Sequence, residues 1–386
     1  MLKIYHFLKH YNHIFAGAGL SSLMTVYKMI LSNNFKDKTI LLVDVDAKKT
    51  NDRTWCFWEK SGHDWENLVS QKWLFSIFAN QEFSKNLNLS PFEYNMIRGL
   101  DFYNHVLSVM ENHTNINFVN DKIINFKDNG SNVSVICESK TYSCDKLFNS
   151  IYNKSQAETQ TKYPVLQQHF VGWFIKSEQA VFNADVATFM DFSLEQNGNT
   201  KFMYVLPTST SEALLEPTLF SHKHLQLSEY ENEIQVYIKK LGIKNFEIVD
   251  KERGSIPMTS YKFWKNNTKN VLNIGTAGGW TKASTGFTFY HTNKKSNQLI
   301  DFLKTEKDFT KFHKPSRFWF YDLIFMDVLD KKNHLGAAVF SALFQKGDSE
   351  LIFKFLNQET TIWQEIEVMW RCPKIPFIKA FLRVLL

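Results

Sequence analysis

The stretch from residue 12 to residue 46 constrains the fold more than any other. A short apolar strand, Ile14 to Ala16, runs into Gly17-Ala18-Gly19, and Leu20, Leu23, Met24, Tyr27 and Leu31 then recur at helical spacing. A second apolar run over residues 40–43 ends in Asp44. Strand, glycine turn, helix and strand within about thirty residues make a βαβ unit, whose two strands lie parallel in one sheet. Gly17-x-Gly19-x-x-Ser22 is the dinucleotide fingerprint with its third glycine replaced. Gly17 permits the tight turn, and Gly19 lets the Ala18 and Leu20 backbone approach a pyrophosphate at the helix N-terminus. The third position needs only to be small, so Ser22 is tolerated. Asp44, at the end of the second strand, is placed to accept from ribose hydroxyls. A glycine turn that binds nothing is the plainer alternative; the strand context and the terminal acid argue against it.

A second glycine cluster, Gly275-Thr-Ala-Gly278-Gly279 continuing to Thr285-Gly286-Phe287, selects the cofactor. Simple nicotinamide domains use the first cluster alone, whereas flavoproteins of the hydroxylase type add a late loop and helix N-terminus, so FAD is expected. Between the clusters the pattern changes. Residues 98–113 have helical periodicity, and short strand-like runs follow at 116–119, 133–137 and 146–148. Residues 166–221 alternate in β-branched and aromatic residues over four strands with short polar loops, the pattern of an antiparallel sheet. Helical periodicity returns at 229–241 and dominates from residue 293 on. The expected architecture is α/β: a Rossmann-like FAD-binding domain of the hydroxylase and geranylgeranyl-reductase type over residues 1–160 and 245–300. An antiparallel substrate domain is inserted at 161–244, and a helical region occupies 301–386. Composition adds exclusions. A net charge of +6 is too small and too dispersed for a nucleic-acid stripe, the four cysteines form no C-x-x-C pair, and no tract of 18 apolar residues spans a bilayer as a helix. Lys3, Lys9 and His10 before the apolar residues 14–24 imitate a signal peptide, but the βαβ reading accounts for that stretch, and a cytoplasmic protein is expected.

With these residues in view, the chain resembles the FAD-dependent lycopene cyclases of carotenoid-making bacteria and plants. The resemblance rests on AGAGLSS at 16–22, DRTWCFWE at 52–59, QHFVGW at 168–173 and MDF at 190–192. It continues with FMYVLPTSTSEALLEPTLFS at 202–221, RGSIPM at 253–258 and GTAGGWTKASTGF at 275–287, in the family's order along nearly the whole chain. Two positions depart from the family pattern: Pro217 stands where a second acid usually follows the glutamate, and Ala283 where the late loop usually has proline. The resemblance implies a redox-neutral cyclisation of the ψ-ends of lycopene or a related acyclic carotenoid to β-rings, with reduced FAD and NAD(P)H as its reductant. It carries cofactor contacts over to Gly17, Ala18, Gly19, Leu20, Asp44, Arg53, Thr54, Gly275, Gly278, Gly279, Thr285 and Gly286, and implies no metal.

Protonating an alkene with a carboxylic acid requires strong stabilisation of the resulting cation and an acid that keeps its proton. A glutamate in an apolar cleft satisfies the second condition, because burial disfavours the carboxylate. Glu216, among Ala213, Leu214, Leu215, Pro217 and Leu219, is the expected acid; the plainer reading is a solvent-facing strand glutamate alternating with Leu215. Asp191 is a second candidate, as base or as orienter of Glu216, against the reading of a strand-end turn cap. His169 positions either acid or is a satisfied core histidine, and Trp55, Phe57 and Trp58 line a tunnel or the core. A flavin-dependent prenyl reductase or hydroxylase shares the glycine loops but has no need of Glu216. A carotenoid carrier leaves those loops unexplained. Lycopene-like substrates reside in bilayers, so peripheral membrane contact is expected through residues 371–386. There Lys379 and Arg383 form one basic stripe on a helix of Phe377, Ile378, Phe381, Leu382, Leu385 and Leu386; the alternative is a terminal helix packed on the core. The ring type, which depends on where the final base sits, is left open by the residues.

Overall fold

The computed structural model describes residues 9–385; Lys3 of the signal-like stretch and Leu386 of the terminal stripe lie outside them. The expected βαβ unit is present as β1 (Lys9–Ala16), α1 (Leu20–Ser32) and β2 (Ile40–Asp44), with Phe15 paired to Leu42 in parallel register. Downstream come β3 (Thr54–Lys60), β4 (Gln71–Trp73), β5 (Phe75–Ala79), β6 (Ser84–Asn88) and β7 (Phe92–Arg98). Then follow α2 (Gly99–Glu111), β8 (Ile116–Asn120), β9 (Ile123–Asp128), β10 (Val133–Cys137), β11 (Thr141–Asn149) and the short α3 (Lys154–Glu158). The first sheet runs β8-β2-β1-β11-β10-β9. The first half of β11 pairs antiparallel with β10, and its last residues pair parallel with β17 (Val271–Asn273). Alternation sends Phe15 into the core under α1 and α2, while Ile14 and Ala16 enter a second core against β9 and β10.

The second sheet runs β16-β12-β15-β14-β13-β5-β6. Its strands are β12 (Leu166–Ser177), β13 (Val186–Asp191), β14 (Thr200–Pro207), β15 (Glu212–Ser221) and β16 (Phe246–Met258), with β5 and β6 added at one edge. The four antiparallel strands expected from alternation are therefore there, but the boundaries 161–244 are corrected. Strand β16, expected in the FAD-binding part, pairs with β12 over its length, and β5 pairs parallel with β13. Helix α4 (Leu227–Lys240) covers one face through Tyr230, Ile234, Tyr237 and Ile238. The other face carries an aromatic core that takes in Trp58, Tyr94, Phe189, Tyr204 and Phe353. It is closed by the small sheet β3-β7-β4 and by the C-terminal helices. After β17, α5 (Phe289–Thr305) packs along α1, and Thr25 and Ser296 hydroxyls meet at 3.1 Å. The helical region follows as α6 (Arg317–Lys332), α7 (Gly336–Lys346), α8 (Ser349–Leu356), α9 (Ile362–Arg371) and α10 (Lys374–Leu385).

Candidate active site

The two glycine loops, more than 250 residues apart in sequence, meet at the N-terminus of α1. Gly17 has φ +87°, and a Cβ there would lie 2.5 Å from Ser150 Oγ. Gly275 has φ +58°, and a Cβ there would lie 2.4 Å from Ser21 Oγ in the first turn of α1. Neither α1 nor α5 has a capping side chain or an acid in its first turn, so both helix starts keep backbone N–H groups free for an anion. Asp44 braces the first turn: its Oδ2 accepts from Ala18 N–H at 2.6 Å and its Oδ1 from Asp46 N–H at 2.8 Å. These features fit the diphosphate of a dinucleotide. Gly278 and Gly279 shape the turn itself, Gly278 because a Cβ would sit 2.2 Å from Asn273 O and Gly279 through its φ of +69°. Arg53 is exposed, and its guanidinium donates to Asp52 O.

Thr285 and Gly286, farther along the loop, line a pocket of about 100 Å³ together with Thr54, Glu216 and Glu252. The rest of its wall is largely aromatic: Trp55, Tyr94, Phe170, Tyr204, Phe287 and Phe289. Strand geometry explains the two acids. Tyr204 pairs with Glu216, Gly172 pairs with Glu252, and β12 lies between β15 and β16, so a row of side chains crosses four strands on one face. Gly172 is the gap in that row. A Cβ there would lie 2.7 Å from Leu214 Cδ1, 3.1 Å from Glu252 Cγ and 3.4 Å from Glu216 Oε2, so its absence lets the two carboxyls reach each other. Pro217 is paired with Met203, on the opposite face under α4. An acid at that position would point away from this pocket.

Glu216 is buried, with 8% of its surface exposed, and accepts from Thr218 Oγ1 at 2.9 Å. Burial first, and the neighbouring Glu252 second, hold its pKa well above the usual carboxyl range. Burial also raises Glu252, but the Thr54 hydroxyl at 2.6 Å, the charge of Arg98 and the hydrogen bond shared with Glu216 oppose that rise. Both groups are raised, Glu216 the further, so of the two Glu216 is the better placed to hold a proton. Gln168 fills the room that Gly286 leaves, and its buried Oε1 has no donor among the described residues.

Asp191 is not brought to this pocket. It lies at the end of β13 on the α4 side, accepting from Tyr237 OH at 2.7 Å, from Ser193 N–H at 2.8 Å and from Lys240 Nζ at 3.4 Å. Burial alone would raise its pKa, but these donors outweigh it and hold the group below its ordinary value. It anchors α4 and caps a turn. His169 is likewise a satisfied core histidine between Ser221 Oγ and Tyr230 OH, its pKa pushed down to about 4 by burial and by His224. Trp55 reaches the pocket wall, whereas Phe57 stacks on Phe289 in the core and Trp58 on Phe353. Glu252 and Gly172 escaped the residue-level reading. Gly172 stood inside the QHFVGW segment, and Glu252 immediately before RGSIPM, where charges on both strand faces hide the alternation.

In fold the chain is similar to a geranylgeranyl bacteriochlorophyll reductase-like protein from Thermoplasma acidophilum. The two share 10% identity at a TM-score of 0.60, with 97% of this chain and 99% of that one covered. A flavoprotein/dehydrogenase from Cytophaga hutchinsonii gives 11% identity and a TM-score of 0.60, covering 94% and 99%. A mutant halogenase in complex with FAD gives 11% and 0.55, covering 89% and 78%. No curated protein matches the sequence. The sequence model of the lycopene cyclase protein family matches residues 13–382, nearly the whole chain, and the protein belongs to that family.

Proposed function

We propose that the protein is a lycopene β-cyclase, closing the ψ-ends of lycopene or a related acyclic carotenoid without net oxidation or reduction. The observation that carries this reading is the pair Glu216 and Glu252: a carboxylic acid and a carboxylate sharing a proton in an aromatic pocket beside the late glycine loop. Glu216 gives its proton to the terminal alkene carbon, and the neighbouring alkene attacks the tertiary cation. Glu252 then takes the proton that leaves the new ring and returns it to Glu216 across their shared hydrogen bond. The pair ends as it began. Thr54 and Arg98 keep Glu252 ionised, and Arg98 is itself fixed by Asp250 at 2.8 Å. Tyr94, Tyr204 and Phe287 line the pocket and supply aromatic surface beside the cation. The α1 turn from Gly17 to Leu20, Asp44 and the loop from Gly275 to Gly286 would hold FAD. When bound in its reduced form, maintained by NAD(P)H, FAD would supply negative charge near the cation.

Exposed apolar residues on α9 and α10 fit a peripheral membrane contact. Trp363 is 81% exposed, Trp370 72% and Ile375 69%, with Ile378, Leu382 and Leu385 also exposed beside Lys374 and Lys379. Tryptophans at the rim and lysines beside them suit the interface of an anionic bilayer. The expected basic stripe is halved, because Arg383 is engaged by Asp327 of α6. Phe377 and Phe381 pack against Phe325 and Phe320, so one side of α10 docks on the protein and the other stays open. No described helix is long and apolar enough to cross a membrane. The direct test of function is pigment analysis after expression in a lycopene-accumulating bacterial host: cyclic carotenoid is expected, and unchanged lycopene refutes the reading.

A further inference from the structure

A larger cavity, about 590 Å³, lies away from the acid pair, within the roughly 300–1,000 Å³ of small-molecule sites. The face of α5 that carries Lys294, Lys295 and Gln298 lines it, the face turned from Ser296 and α1, so it is separate from the glycine turn of α1. The late loop divides the two cavities: residues 279–283 line this one and residues 285–289 line the acid pocket.

The lining is basic. Three of its cations are matched by carboxylates: Lys282 by Asp322 at 2.7 Å, Lys311 by Glu306 at 2.8 Å and Arg317 by Glu365 at 2.7 Å. Lys294, Lys295 and Lys314 have no carboxylate within ion-pair distance among the described residues, and Asp322 is the one acid in the wall. Lys295 is held in a partly buried position with its ammonium 5.9 Å from the Phe312 ring centre. Burial and the adjacent Lys294 lower its pKa, the mark of a cation without a counter-charge. Ser260, 2% exposed, lines the cavity with a buried Oγ that has no partner among the described residues. Aromatic surfaces complete the wall, with Trp264 stacked on His313 at 3.7 Å and Trp280 and Trp319 beside them.

We propose that this cavity is a nucleotide site, in which Lys294, Lys295, Lys314 and Ser260 receive phosphate oxygens and the tryptophans receive an aromatic base. Its occupant is the nicotinamide dinucleotide that keeps the flavin reduced, an identification that rests on the proposed function. Lysines without carboxylate partners suit phosphate as point charges, and indole faces suit a planar base.

The test is titration with NADPH of the FAD-loaded protein whose flavin has first been reduced with dithionite, read as energy transfer from tryptophan to the dihydronicotinamide. Lys294→Gln/Lys295→Gln is expected to weaken binding about tenfold or more at low salt, with unchanged melting temperature. Glu216→Gln is expected to bind NADPH as the wild type does, so loss of cyclisation leaves this site standing. Unchanged affinity in the double-lysine variant overturns the proposal. Equal displacement of NADPH by inorganic pyrophosphate overturns the base recognition, and displacement by phosphatidylglycerol vesicles assigns the lysines to lipid headgroups instead.

Discussion

Two carboxyl groups within reach of each other in an apolar cleft cannot both ionise, and at Glu216 and Glu252 the surroundings decide which keeps the proton. Glu216→Gln is expected to retain fold and FAD while lowering ring formation at least about 100-fold, since an amide preserves shape but donates no proton to carbon. Glu252→Gln removes a neighbouring negative charge and so lowers the Glu216 pKa; the alkaline limb of its pH–rate profile is expected to move to lower pH, read on residual activity. Stability follows the same group. Because the folded-state pKa of Glu216 is raised above its ordinary 4.5, its stabilising contribution is full below that pH and is lost as pH rises through the folded value. Glu216→Gln is therefore expected to melt progressively higher than wild type as pH rises from about 5 to 8, and a difference independent of pH contradicts the assignment. Glu216 could be chosen from the apolar run around it only together with its place in the family resemblance, and its partner could not be chosen at all. Glu252 follows Asp250 and Lys251 in a strand whose polar residues fall on both faces, and only the register of β12 against β16 shows that it lies opposite a glycine.

At the scale of elements, the βαβ unit, α2, α4 and the four strands of residues 166–221 were legible because each is a local pattern of period 3.6 or 2. The pairing of β5 with β13 was not, because it joins segments more than 100 residues apart and neither strand carries a sign of its partner. The contact of Gly275 with Ser21 belongs to the same class and has a sharp consequence. Gly275→Ala would place a methyl group at positive φ against Ser21, so the purified variant is expected to lose its flavin absorbance while Gly130→Ala, in an open surface turn, keeps it. Equal flavin content in both would contradict convergence of the two loops on one cofactor. The terminal helix α10 follows from its apolar residues, yet its exposed side is set by Arg383 and Asp327, and that of α9 by Glu365 and Arg317, ion pairs with α6 that the stripe of residues does not reveal. Trp363→Ser with Trp370→Ser is expected to reduce sedimentation with anionic liposomes several-fold without changing the melting temperature. Undiminished sedimentation would remove the membrane contact from this face.

For the molecule as a whole, the first sheet supplies the uncapped helix starts proposed to receive a dinucleotide. The second sheet supplies a row of side chains ending in two acids, and the late loop touches both. The acid pocket, at about 100 Å³, is smaller than the roughly 150 Å³ that holds a benzene molecule, so the proposed cyclisation requires its aromatic wall to open for a carotenoid end. The fold itself is shared with a reductase-like protein, a dehydrogenase and a halogenase, so the proposed cyclisation rests on the acid pair and not on the fold. The central claim is a proton cycle without electron consumption. It is tested most directly by the mass of the product formed from lycopene by the FAD-reduced protein in deuterated water. The expected product is isomeric with lycopene except for one deuteron per ring, because the proton held between Glu216 and Glu252 exchanges with the solvent between turnovers, with NAD(P)H consumed far below one equivalent per ring. A product carrying two added hydrogens for each end converted, with one equivalent of NAD(P)H oxidised, would contradict it.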